Sequence, residues 1–483
     1  MWGWTVAELA TEPPEEPVPE ARMRLTAVIV ATALFMQNLD STVIATALPA
    51  MARSFHVPPL YMSVALTSYL ISLSVFIPAS GWVADHFGAK PVFRGAILIF
   101  TLASLLCGLA PSLAVLVGAR ILQGLGGAMM LPVGRLLLLN SIKRSQMVAA
   151  MSWLTMPALV GPILGPPLGG LIVSVASWRW VFGINLPIGL MGAVAVTLFI
   201  KDIRDPGRGG RLDLAGLVWS GLAMAFLMGG LETLGRDLVA PVVTIASFAA
   251  GAVAVAGYVV HARGKEHPVL DFSLMATPTF AISVVAGGLF RVAVGAMPFL
   301  LPLLLQLSFG DTPLQSGMIT FAAAAGAILM KPATKPILER VVFRHVLVWN
   351  GVIAALFIAV SATFSSAWPD LALDGVLLVG GVFRSLQFTA FNTIAYADID
   401  RSRLSAATSL YSTLQQLSLT LGIVVGAGTL EISARLHHHI TAQKSDYDVA
   451  FLLVAAISLL AVPLCGRLAR DAGSRVSGHR VQS

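Results

Sequence analysis

Long apolar runs, each about the length of a bilayer crossing, recur along the whole chain and are interrupted by short polar segments. A hydrocarbon core of roughly 30 Å takes about 20 residues of helix. Cutting the sequence at its polar breaks gives fourteen such runs, numbered here as spans 1 to 14: 25–50, 60–84, 91–110, 113–139, 147–173, 178–200, 212–233, 239–261, 278–307, 314–337, 344–366, 371–396, 404–431 and 448–468. The pattern predicts an all-α integral membrane protein. Residues 1–24 contain "TEPPEEPVPE", are acidic and Pro-rich, and read as a disordered tail that is not a cleavable signal peptide.

Composition agrees with the pattern: 57% of the 483 residues are hydrophobic and 11% charged, too apolar for a soluble globular chain. The formal net charge of +7 could suggest nucleic acid. Most of the 31 Lys and Arg, however, fall in the tails and in every second loop. That asymmetry is the signature of cytoplasmic loops, with anionic lipid as their partner, so nucleic-acid binding is not expected and both termini are placed in the cytoplasm. Cys107 and Cys465 lie within apolar spans, which predicts neither a disulfide nor a redox role. The sequence leaves the oligomeric state open.

A short repeat organises the spans. Span 4 carries "RILQG" at 120–124 and span 12 carries "RSLQF" at 384–388. Long basic loops follow span 2 ("GWVADHFGAKPVFR") and span 10 ("KPATKPILERVVFR"), so six spans before one helix pair match six after it. The expected division is a six-helix half at 25–200, an inserted pair with its linkers at 201–277, a second pseudo-symmetric half at 278–468 and a tail at 469–483. Repeated halves around a central site are a transporter architecture.

Charges inside spans are expensive and mark function by default. In "FMQNLDSTVIATALP" (35–49), Asp40 sits roughly 22 Å along the helix from Leu25, hence about 8 Å below the outer face. By the same rise Arg120 lies roughly 12 Å below it, which makes Arg120 the nearest candidate partner in that half. The pair could simply lock spans 1 and 4. It could also form a proton site, since burial disfavours the carboxylate and the arginine favours it, a balance that conformation can tip. Arg291 and Arg384 fall near mid-membrane without an equivalent acid. An excess of buried positive charge favours an anionic substrate over a neutral or cationic lipophilic drug, the alternative, although lone arginines can also bond helix carbonyls. Gln123, Gln306, Gln387 and Asn392 could contact substrate or neighbouring helices.

In span 5, Gly161, Gly165 and Gly169 recur every four residues, with Pro162 and Pro166 on the next stripe. A smooth glycine face lets another helix approach closely in lipid. The small-residue run "AAAAG" (322–326) of span 10 is a candidate partner, either as plain packing or as a sliding seam between the halves. In the loop after span 2, Asp85 is followed by His86, Lys90 and Arg94. A carboxylate there can accept from a helix N-terminus, or the segment can be an ordinary capped turn.

Four stretches in the first 190 residues, "LDSTVIATALP", "GWVADHFGAK", "RILQGLGGAMMLPVGR" and "GPILGPPLGG" with "WRWVFGINLPIG", resemble motifs of the major facilitator superfamily. The likeness is to its fourteen-span drug:proton antiporter branch and, within it, the MdtD-like subgroup. The resemblance implies proton-coupled export of small molecules across a bacterial cytoplasmic membrane, with Asp40 and Arg120 in proton coupling and the span 5 face in gating. It also implies a latch from Asp85, aided by Lys90, onto the helix starting near Ser405. His86 and Ala89 depart from the usual basic residues there. An uptake symporter and a non-transporting sensor are the alternatives. No phosphate-binding loop, H-E-x-x-H or nucleophile elbow is present, so neither an enzyme nor a cofactor is expected. His437, His438 and His439 read as a solvated loop, because consecutive positions of a helix cannot all face one metal.

Overall fold

The computed structural model describes residues 20–140, 161, 164–200, 213–233, 240–265, 268–400, 403–439, 441–469 and 472. Among the described residues the regular structure is entirely helical. Thirteen helices are long and apolar enough to cross a membrane: Met23–Phe55, Pro59–Ala84, Ala89–Leu109, Leu113–Leu138, Trp180–Phe199, Leu214–Leu231, Pro241–Arg263, Pro278–Ser308, Pro313–Thr334, Phe343–Thr363, Asp370–Ile394, Ala406–Leu436 and Lys444–Cys465. They coincide with spans 1–4 and 6–14. Span 5 is described at Gly161 and as the helix Leu164–Val175, and the rest of 147–163 lies outside the described residues. The all-α, fourteen-span expectation therefore holds.

The two halves repeat one packing scheme. Span 2 packs on span 4, span 3 on span 6 and span 1 on span 6; span 10 packs on span 12, span 11 on span 14 and span 9 on span 14. Spans 7 and 8 pack on each other, and span 7 leans on span 2. The loop between spans 2 and 3 closes at Gly88, whose φ of 90° suits a residue without Cβ.

The span 5 glycine face corrects the sequence expectation. Its partner is span 1 of the same half, not the "AAAAG" run of span 10. A Cβ on Gly161 would lie 2.9 Å from the Leu39 nitrogen, and Cβ atoms on Gly165 and Gly169 would overlap Thr42, Val43 and Thr46. Span 13 packs on span 9 in the same manner, Gly422 against Val292 and Ala296 and Gly295 against Leu419. The "AAAAG" run instead faces span 12, with Gly326 against Leu378 and Gly381 against Ala323. The reason is general: a glycine stripe states that something approaches closely, and the helix that wins is the neighbour fixed by chain connectivity and by the other buried groups.

Spans 5 and 10 do meet across the halves, through other residues. Gly170 abuts Pro313 and Leu314, and Gly317 abuts Pro166 and Pro167. Nearby, Gln306 Nε2 donates to the Thr46 carbonyl at 3.2 Å. Span 13 packs against span 2, and span 1 touches spans 9 and 10.

Replacing Gly165 or Gly422 by Leu should therefore force apart helices of a single half. Overpacking of a tight contact costs about 1–3 kcal/mol or more, and both variants should show a lowered unfolding midpoint by circular dichroism in detergent. Gly118→Ala, where an added Cβ meets nothing within 4 Å, should leave the midpoint unchanged.

Candidate functional site

Asp40 is 1% exposed and Arg120 fully buried. Arg120 Nη1 donates to Asp40 Oδ2 at 2.5 Å. The other carboxylate oxygen accepts from Gln123 Nε2 at 2.9 Å and from Asn185 Nδ2 at 2.7 Å. Arg120 and Gln123 are one turn apart on span 4, so they share a face, and Arg120 Nη1 also donates to Gln123 Oε1 at 2.6 Å. Ser104 Oγ of span 3 accepts from both amides, at 2.8 and 3.2 Å. Arg120 Nε donates to the Ala65 carbonyl of span 2 at 2.9 Å, and its guanidinium lies 4.4 Å from the Tyr69 ring centroid. Spans 1, 2, 3, 4 and 6 thus converge on one buried carboxylate, where each unmade bond would cost the desolvation of the group. The sequence-predicted pair is formed. Asn185, Ser104 and Tyr69 were not singled out from sequence, although an Asn in the apolar "FGINLPIG" of span 6 is the kind of signal that could have found the first.

The second half differs at the equivalent place. Gln387 of span 12 bonds span 11, as Gln123 bonds span 3: its Nε2 donates to the Leu347 carbonyl at 2.9 Å and its Oε1 accepts from Asn350 Nδ2 at 2.8 Å. Arg384, the counterpart of Arg120, has no carboxylate within ion-pair distance and no hydrogen-bond partner among the described residues. It is half-buried and lines a cavity of about 200 Å³ between the halves. That cavity is walled by Thr42, Ala45 and Thr46 of span 1, Pro166 of span 5, Val294, Met297, Pro298, Leu301 and Pro302 of span 9 and Thr320, Ala323 and Ala324 of span 10. Its walls are apolar apart from three threonines and the one guanidinium.

Three residues expected to bind substrate lie elsewhere. Gln123 belongs to the Asp40 network and Gln387 braces spans 11 and 12, both with bonded side chains turned from the cavity. Arg291 is 1% exposed. Its Nη2 donates to Asn392 Oδ1 at 2.9 Å and to the Tyr411 hydroxyl at 2.5 Å, and its guanidinium lies 5.1 Å from the Phe388 ring centroid. It is held inside its own half. Of the gating residues, Lys90 donates to the Thr197 carbonyl at 3.0 Å, tying the start of span 3 to span 6. Asp85 has its backbone in the helix Ser80–Phe87; its side chain, that of Ser405, and Pro162 lie outside the described residues. His437 and His439 do not form a plain solvated loop, since both reach the buried Asp446.

Two repeated helical halves, an ionic cluster within one and a cavity between them define a secondary membrane transporter of the kind that works through a central site. The sequence profile described as Major Facilitator Superfamily matches residues 30–298 and 295–480, and the chain belongs to that family. It is 37% identical over 440 residues to the putative multidrug resistance protein MdtD of Pectobacterium atrosepticum, covering 90% of this chain and 93% of that one. Similarity to the protein of the same description from Salmonella paratyphi B is 35% over 439 residues, covering 90% and 92%. Among solved structures, the D-xylose–proton symporter aligns with a TM-score of 0.67 at 14% identity, covering 93% of this chain and 98% of that one. The human organic anion transporter MFSD10 aligns with a TM-score of 0.59 at 14% identity, covering 93% and 100%. These last two likenesses concern the fold.

Removing one member of the Asp40–Arg120 pair strands the other. Asp40→Asn and Arg120→Gln should each lower stability by about 3–5 kcal/mol, the cost of an unmatched buried charge. The double variant should lose clearly less than the sum, because neither charge is then stranded. Unfolding of all four proteins in one detergent gives the coupling, and strict additivity would mean that the two side chains do not interact.

Proposed function

We propose that this protein is a proton-coupled exporter of a bacterial cytoplasmic membrane, with both termini in the cytoplasm and a preference for lipophilic compounds that bear an acidic group. The observation that carries the substrate class is the Arg384 guanidinium, unpaired among the described residues, on the wall of a cavity whose other surfaces are mostly aliphatic. A half-buried cation within a span and without a protein partner is costly, and an anionic headgroup in that space would compensate it. The aliphatic walls suit the apolar body of the same molecule. Thr42, Thr46 and Thr320 offer hydroxyls for further polar contacts, although each also bonds a carbonyl of its own helix.

The relatives described as multidrug resistance proteins support export. Asp40 and Arg120 form the proton-coupling pair in this reading. A protonated Asp40 becomes a donor on one oxygen and must turn away one of the groups it now accepts from. Because those groups reach five helices, the change in bonding is felt across the first half, which then rocks against the second while the span 5–span 10 and span 2–span 13 contacts exchange. Asp85 would latch the basic face as the family pattern implies. Gly161, Gly165 and Gly169 keep spans 1 and 5 moving as one body, with Pro162 and Pro166 on the adjacent stripe.

Transport into everted membrane vesicles tests the charge preference. Arg384→Gln should reduce apparent affinity for acidic lipophilic compounds at least about tenfold, the loss of a charge-assisted contact in a dry site, and affect neutral analogues much less. Equal losses for acids, neutral compounds and cations would make Arg384 a structural residue and remove the basis for an acidic substrate.

A further inference from the structure

The end of span 13 and the start of span 14 meet on the face opposite the basic loops, around one carboxylate. Asp446 is fully buried and accepts from Ser433 Oγ at 2.7 Å and from the Gln443 backbone N–H at 2.8 Å. His437 Nδ1 lies 3.2 Å from its Oδ1 and His439 Nδ1 lies 2.8 Å from its Oδ2. The helix of span 13 ends at Leu436. His438 then takes a φ of 57°, a left-handed turn that closes many helices and is uncommon for a residue with a Cβ. That turn is what lets the alternate residues His437 and His439 share a side while His438 leaves it. The two rings lie 5.5 Å apart between centroids.

We infer that His437, His439 and Asp446 form a binding site for a divalent transition metal, Zn²⁺ being the ion whose ligand chemistry fits best. The two imidazole nitrogens and a carboxylate oxygen lie within 4.8 Å of one another, and a tetrahedral Zn²⁺ with bonds near 2.0 Å needs its ligands about 3.4 Å apart. Two nitrogens and one oxygen are borderline donors suited to Zn²⁺ and poorly suited to Mg²⁺ or Ca²⁺. His437 is about half exposed, which leaves a side open for water as the fourth ligand. The Ser433 hydroxyl and the Gln443 N–H orient the carboxylate from behind, the outer partners that metal ligands usually have. Coordination through Nδ1 leaves each ring proton on Nε2 and ties spans 13 and 14 at their joined ends.

The test uses the full chain without a polyhistidine tag, in detergent, with Zn²⁺ by equilibrium dialysis and with Co²⁺ by its visible absorption. The expected result is one Zn²⁺ per chain, Co²⁺ bands of a tetrahedral nitrogen and oxygen site, and a higher unfolding midpoint with Zn²⁺. His439→Ala and Asp446→Asn should each weaken binding at least tenfold, and His438→Ala should leave it intact. Asp446 also holds the loop together, so His439→Ala is the decisive variant. No stoichiometric Zn²⁺, or unchanged binding in a His437→Ala/His439→Ala double variant, overturns the site.

Discussion

A carboxylate in the hydrocarbon interior has to be matched where it sits, and the match made for Asp40 organises the whole first half. Three donors from two helices reach its oxygens, and the same donors are tied to two further helices. Helix association in lipid lacks the hydrophobic drive between soluble helices. A connected polar cluster at the centre, with tight glycine contacts around it, supplies the specificity that apolar burial cannot. In the proposed function this cluster is where one added proton would change the donor count.

The second half repeats the helix pairing and omits the acid. Gln123 and Gln387 do equivalent work in binding spans 3 and 11, whereas Arg120 has a counter-ion and Arg384 has none among the described residues. The two arginines of the repeated motif therefore meet different surroundings. One arginine is spent inside its half, and the other is left facing the space between the halves. Arg291 adds a second cation to the C-terminal half, where its Nη2 bonds Asn392 and Tyr411 and its guanidinium lies near an aromatic face.

Much of the architecture was legible because bilayer thickness dictates helix length, so spans can be read off as apolar runs. The Asp40–Arg120 pair was legible because depth follows from residue rise, and two opposite charges at one depth have few alternatives. Helix faces were less so. The stripe of Gly161, Gly165 and Gly169 announced a close approach, but its partner depends on which helices become neighbours, and span 1 took the place expected of span 10. Gln123 and Gln387 carried no mark separating a cavity residue from a brace, since both are amides at mid-membrane. The meeting of His437, His439 and Asp446 required a left-handed residue at His438 and a loop that turns back on itself, neither of which periodicity encodes.

The account rests on Asp40 being the group that exchanges its proton as substrate binds. Proton release can be followed directly with a pH indicator in weakly buffered detergent solution, by adding a transported compound to the purified protein. The account predicts substrate-dependent proton release from the wild type, and none from an Asp40→Asn protein that still binds the compound. Equal release from the Asp40→Asn protein would contradict it and move the proton site elsewhere in the chain.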